Sequence, residues 1–237
     1  MIKEESFTYS GHENLLAMQH AKNYNAYLSD VIRKYGHGYL NIVDFGAGVG
    51  ALAEQSKNWA GRLICVEPDQ KQLDILRASG FETVPDIASL PDSSVDYVYS
   101  VNVFEHIEND IGALQDISRV LRPDGRLLIY VPALQWLFTS MDKRVGHVRR
   151  YSRGELNTKL ANAGYRITHS SYVDSLGVLA TLAYKWFADK QEGKIDIGML
   201  KVYDRFVFPV SLALDALMSK LAGKNLLVVC EKNEIKR

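Results

Sequence analysis

The chain has 237 residues, long for one compact domain and short for two, which predicts a single domain carrying an insertion. Lysine plus arginine equals aspartate plus glutamate at 28 each, so no global field draws the protein to nucleic acid. The polar opening MIKEESFTYSGHENL lacks the apolar stretch of a secretion signal, and Cys65 and Cys230 sit in apolar runs, as buried thiols of a cytoplasmic protein would.

In chain order, His12 to Tyr35 has apolar residues near helical spacing. YLNIVDF then reads as a short strand that stops at a glycine run. RLICVE is a second strand, and DQKQLDILRASG a helix closed by Gly80. FETV and VDYVYSV are the third and fourth strands, DIGALQDISRVL a helix, and GRLLIYVP the fifth strand. This alternation predicts a mostly parallel sheet wrapped by helices. Ser152 to Ala163 reads as a helix opened by a Ser152–Glu155 capping box. YRITHSSYV and NLLVVCEK complete seven strands. Between them lies an apolar, mostly helical insertion at 174–224, with no run near the twenty residues of a membrane span.

The glycine run VDFGAGVG carries the most information. Gly46, Gly48 and Gly50 follow a strand and precede a helix, so a ligand can approach the backbone closely. Glu67 ends the next strand, in CVEPD, where an acidic side chain accepts hydrogen bonds from a ribose diol. Read as Gly46-x-Gly48-x-x-Ala51, the run satisfies a dinucleotide fingerprint. Asp44 argues against this, because a carboxylate beside the loop repels a pyrophosphate but accepts a cationic ligand. The chain also lacks the Tyr-x-x-x-Lys pair of one large dehydrogenase family.

Read as Asp44-x-Gly46-x-Gly48-x-Gly50, the run resembles the first motif of the class I S-adenosylmethionine-dependent methyltransferases. PDIASLPDSSVDYVYSVNVFEHIEND and RVLRPDGRLLIYVP extend the resemblance over about Asn41 to Pro132. It implies a Rossmann-like seven-stranded fold, with S-adenosyl-L-methionine held by Asp44, Gly46, Ala47 and Gly48 and by Glu67 and Pro68 on the next strand. Asp86 would bond the adenine amino group, Ile87 would give a backbone contact, and Asn102 would line the methionine end. His106 would pack beside the cofactor. AKNYNAYL and GHVRRYS look like marks of a bacterial subgroup often linked to cell-surface polysaccharide and lipid pathways.

The stretch MDKRVGHVRRYS lies where acceptors enter such folds. His147 is the candidate general base, since an unperturbed imidazole titrates near pH 6.5. Arg149, Arg150 and Tyr151 are candidate contacts to an anionic acceptor, or else pin the loop by pairing with Asp142 or Glu155. No Asn/Asp-Pro-Pro-Tyr/Phe motif follows the fourth strand, which argues against the exocyclic amines of nucleic-acid bases. No His/Asp/Glu spacing marks a metal site.

The expected map is one domain over 1–237: a cofactor core at 12–132, an acceptor side at 133–173, the insertion, and a final strand at 225–232. The expected activity is O-methylation of an anionic small-molecule, sugar or glycolipid acceptor. The alternatives are an NAD(P)-dependent oxidoreductase and a non-catalytic S-adenosylmethionine-binding protein. The insertion reads as core or homodimer surface, with peripheral membrane contact as the sharper option.

Overall fold

The computed structural model describes residues 16–187 and 196–233. Strands β1 (Asn41–Phe45), β2 (Arg62–Val66), β3 (Glu82–Val84), β4 (Val95–Val101), β5 (Leu121–Pro132), β6 (Tyr165–Val173) and β7 (Asn225–Lys232) form one sheet in the order β3-β2-β1-β4-β5-β7-β6. The first five are parallel, and β7 runs antiparallel to both β5 and β6. Strand order reverses between β1 and β4, so the ligand crevice of such a sheet opens outside their carboxyl ends.

Alternate residues along the central strands feed two cores. Val43, Val98, Leu127 and Ile129 pack on one face, and Ile42, Tyr97, Tyr99, Leu128 and Tyr130 on the other. Helix α1 (Lys22–Gly36) covers the second face through Leu28 and Ile32. The helices between strands are α2 (Ala51–Ser56), α3 (Gln70–Ala78) and α4 (Asp110–Val120). Asp69 caps α3 by accepting the N–H groups of Lys71 and Gln72. Cys65 and Cys230 are buried and unpaired.

Two boundaries differ from the sequence reading by more than about two residues. The helix expected from His12 is interrupted: 12–15 lie outside the described residues, and a turn at Gln19–Ala21 separates Leu16–Met18 from α1. Asp204 sets the new start, because its carboxylate accepts the N–H groups of Asn23 (3.0 Å) and Tyr24 (2.9 Å). β5 begins at Leu121 rather than Gly125, since its Pro123–Gly125 turn sits inside a register shift against β4.

After β5 come α5 (Ser140–Arg144) and α6 (Arg153–Asn162). Ser152 caps α6 through the Glu155 N–H, but the Glu155 carboxylate pairs with Lys159 instead of completing a capping box. The reciprocal box forms at α5, between Thr139 and Asp142.

The stretch between β6 and β7 holds α7 (Ser175–Phe187), α8 (Ile197–Val202), a π-helical turn (Tyr203–Val207) and α9 (Phe208–Met218). It is fastened inward by polar groups. Asp215 accepts the N–H groups of Asp174 and Ser175, Asp174 accepts the Tyr203 hydroxyl, and Phe208 stacks edge-on against Tyr24 and Tyr27. Its outer side is not core. Leu179, Trp186, Met199, Phe206, Leu217 and Leu221 are each more than 60% exposed. No helix of the described residues is long and apolar enough to cross a membrane.

Candidate functional site

The glycine loop turns directly off β1. Gly46, Gly48 and Gly50 all take positive φ, and the N–H groups of Gly46 and Ala47 donate to the Val66 carbonyl at 2.9 and 3.1 Å. Glu67, at the end of β2, reaches back under the loop. Its carboxylate accepts the Gly48 N–H at 2.9 Å and the Asp69 N–H at 3.0 Å. Those bonds fix the carboxylate and leave a second lone pair on each oxygen for a diol. Burial raises its pKa, and the two backbone bonds oppose that rise.

Asp44 is 3% exposed, and its Oδ2 has no hydrogen-bond partner. Burial raises its pKa to about 7, against a hydrogen bond from Tyr99 and with a further push from Glu67. An orphaned carboxylate oxygen at this position suits a ligand bearing positive charge and amine donors, as S-adenosylmethionine does, and opposes a pyrophosphate.

Pro68 is exposed beside Glu67, and Asp86 is exposed with its carboxylate capping the short helical turn that starts at buried Ile87. Asn102, just past β4, holds a positive φ of 55° and donates to the Tyr24 hydroxyl at 3.3 Å. For a non-glycine residue such a backbone is strained, and strain of this kind clusters at ligand sites.

The turn after β4 and the loop after α5 meet. Val148 N–H donates to the Glu105 carbonyl at 2.8 Å, and the rings of His106 and His147 contact edge-on at 4.7 Å. His147 Nδ1 bonds Asp142 Oδ1 at 2.8 Å, so Nδ1 carries the proton and Nε2 is the basic nitrogen. His106 Nδ1 faces the Gly146 carbonyl at 3.2 Å. Burial and the neighbouring His147 lower the His106 pKa to about 4, keeping that ring neutral. Glu105 is wholly buried, and neither carboxylate oxygen has a hydrogen-bond partner. Burial, reinforced by Asp142, raises its pKa to about 8.

One ligand atom each from Glu105, His106 and His147 lies within 4.8 Å of the others. Sequence spacing marked no such cluster, because 41 residues separate the second histidine from the first. Glu105 and Asp110 are site residues that sequence reading did not single out, and Asp142 entered only as a possible arginine partner. Thr139-x-x-Asp142, a capping-box pattern, is the sequence signal that points to Asp142.

The basic stretch pairs internally, as the second of its two expected readings has it. Arg150 is 7% exposed and grips Asp142 with both ends of its guanidinium, Nε at 2.9 Å and Nη2 at 2.8 Å. Arg149 donates to Asp110 Oδ2 and the Glu108 carbonyl, both at 2.9 Å. Tyr151 is fully buried, its hydroxyl on Asp110 Oδ2 at 2.8 Å. Arg150 and Tyr151 are buried in these contacts, while Arg149 keeps about a quarter of its side chain exposed. They clamp the loop onto β4 and α4, because a cation buried here needs a carboxylate beside it. Burial alone would raise the Asp142 carboxyl, but His147 and Arg150 outweigh it and hold it well below the usual carboxylate range.

Residues 43–129 match a family described as a methyltransferase domain. An uncharacterized methyltransferase of Mycobacterium tuberculosis strain H37Rv is 34% identical over 113 residues, covering 46% of this chain and 43% of that protein. A mouse tRNA (carboxymethyluridine(34)-5-O)-methyltransferase is 28% identical over 138 residues, covering 54% of this chain and 20% of that protein. The chain thus spans less than half the length of these two relatives. Among solved structures, a Thermotoga maritima S-adenosylmethionine-dependent methyltransferase, described as a possible histamine N-methyltransferase, superposes with a TM-score of 0.64 at 15% identity. It covers 93% of this chain and 95% of that one. The chain thus has the Rossmann-like fold of the class I methyltransferases, and residues 43–129 within it match a methyltransferase domain.

Proposed function

We propose that the protein transfers the methyl group of S-adenosyl-L-methionine to a hydroxyl oxygen of a small-molecule, sugar or glycolipid acceptor. Two observations support this: Asp44 keeps one buried carboxylate oxygen without a partner beside the glycine loop, and His147 is oriented by Asp142 against the turn after β4. The acceptor oxygen attacks the methyl carbon, the S–C bond breaks as the O–C bond forms, and sulfur keeps the electron pair as S-adenosylhomocysteine. The donor is already activated, so alignment and water exclusion supply most of the acceleration. A hydroxyl must lose its proton as it attacks, and His147, with Nε2 free of the Asp142 bond, is the residue assigned to take it. With Arg149 and Arg150 engaged internally, they no longer support an anionic acceptor.

Incubation with labelled-methyl donor and fractionated envelope, small-metabolite and tRNA extracts tests this reading. The expected product is an O-methylated small molecule, sugar or glycolipid. His147→Ala is expected to lower turnover by about 10²–10⁴ with donor affinity unchanged. Label confined to tRNA would replace the acceptor class, and normal turnover at saturating acceptor in His147→Ala would remove that residue's role.

The insertion supports a lipid-linked acceptor. Asp204 and Asp215 are turned inward onto backbone N–H groups, while Lys201, Arg205 and Lys220 are exposed on the same stretch as the exposed apolar side chains, with Asp196 as the exposed acidic residue among its described residues. That chemistry fits an anionic bilayer surface. Vesicles containing phosphatidylglycerol are expected to float the protein, and Trp186→Ser with Leu217→Ser to return it to the soluble fraction. A wild-type chain that stays soluble, or that dimerises through this face without lipid, would overturn the membrane reading.

A further inference from the structure

The cluster beyond β4 holds a feature that methyl transfer from an activated sulfonium does not itself require. Glu105 is 0% exposed, yet both its carboxylate oxygens lack hydrogen-bond partners. A buried carboxyl group with no partner has given up the hydrogen bonds it made in water, which is costly. Its nearest cationic candidate is His147 Nε2, at 3.7 Å from Oε1, too far for a hydrogen bond. His106 completes a group of three potential ligand atoms within 4.8 Å.

The outer partners are those of a coordinated site. His147 gives Nδ1–H to the Asp142 carboxylate at 2.8 Å, which turns Nε2 toward Glu105. His106 Nδ1 faces the Gly146 carbonyl at 3.2 Å. Metal-binding histidines characteristically direct the non-ligating ring nitrogen to a carboxylate or a backbone carbonyl, which fixes tautomer and ring orientation. Asp142 is itself held by Arg150 and Thr139, so this orienting shell is rigid.

We propose that Glu105, His106 and His147 form a binding site for one divalent first-row transition cation at the acceptor side of the crevice. Two imidazole nitrogens and one carboxylate suit Zn²⁺, Co²⁺, Fe²⁺ or Mn²⁺, whereas Mg²⁺ and Ca²⁺ favour all-oxygen shells. Three protein ligands leave coordination positions open for a substrate oxygen. The inference rests on the methyl-transfer reading and changes one role in it: the cation would polarise the acceptor hydroxyl and ease loss of its proton, with His147 Nε2 serving as a ligand in place of acting as the base itself.

The test needs no acceptor. The chelator-treated full chain is titrated with Co²⁺, followed by visible ligand-field absorption and by calorimetry, and Zn²⁺ is added to displace it. One equivalent of Co²⁺ is expected, with bands characteristic of nitrogen and oxygen ligation. Glu105→Gln and His147→Gln are each expected to weaken binding by at least the roughly 10–100-fold seen for losing an orienting partner. His169→Gln, on β6, is expected to bind like the wild type. Thermal unfolding confirms that each variant is folded, and the wild-type spectrum stands without them. A wild type that takes up no stoichiometric Co²⁺, or variants that bind it equally well, would overturn the proposal. S-adenosylmethionine calorimetry on the same samples separates the two readings. Donor binding without Co²⁺ uptake sinks the cation site alone, and loss of both sinks the methyltransferase reading with it.

Discussion

Arg150→Met is expected to destabilise the fold by about 3–5 kcal/mol, because it leaves the Asp142 carboxylate buried without its main counter-charge. Urea unfolding at neutral pH measures this as a lower midpoint with an unchanged slope. Asp142 keeps its bonds to Thr139 and His147, which places the loss toward the lower end of that range. Arg150→Lys is expected to recover only part of it, since an ammonium keeps the charge but cannot span both carboxylate oxygens. Lys143→Met, at an exposed position in the same basic run, is expected to stay within about 0.5 kcal/mol of wild type. If Arg150→Met left stability intact and weakened acceptor binding instead, the side chain would be a substrate contact after all.

Gly46→Ala is expected to weaken S-adenosylmethionine binding by on the order of a hundredfold, equivalent to about 2.8 kcal/mol. Gly46 has φ +81°, and a Cβ there would meet Val103 Cγ2 at 2.3 Å and Cγ1 at 2.8 Å. Left-handed strain alone is about 1–2 kcal/mol, and the clash displaces a loop whose N–H groups are anchored on Val66. Gly80→Ala separates the two effects. Gly80 has nearly the same φ, +78°, but open space where its Cβ would lie, so its variant carries the strain without the collision. Its donor affinity is expected to match wild type. Equal affinities for Gly46→Ala and wild type in calorimetry would remove the glycine loop from the donor site.

Much of the scaffold was legible because it is written in local periodicity. β6 and β7 have the limits read from their sequences, and the strand-glycine-helix signature located the β1 loop. The seven-stranded, mostly parallel sheet follows from the same alternation. What failed to show was pairing between distant charges. Basic residues close together suggest an anion, and only the fold reveals that Asp110, at the start of α4, pairs with Arg149 and that Asp142, in α5, pairs with Arg150. The capping box was sought at Ser152 and found at Thr139, since both match the pattern and the outcome depends on whether the acidic side chain has a stronger local partner. Asp204 likewise explains a helix break that the apolar spacing near residue 20 does not show.

That last contact has a consequence for how the molecule is made. Helix α1 is among the first described elements to leave the ribosome, yet the carboxylate that caps it arrives about 180 residues later, in the π-helical turn before α9. Phe208, which packs against Tyr24 and Tyr27, follows at once. During synthesis α1 must wait with its first N–H groups turned to water while the sheet assembles beneath it. The cap of α1 therefore closes only once the insertion has been made.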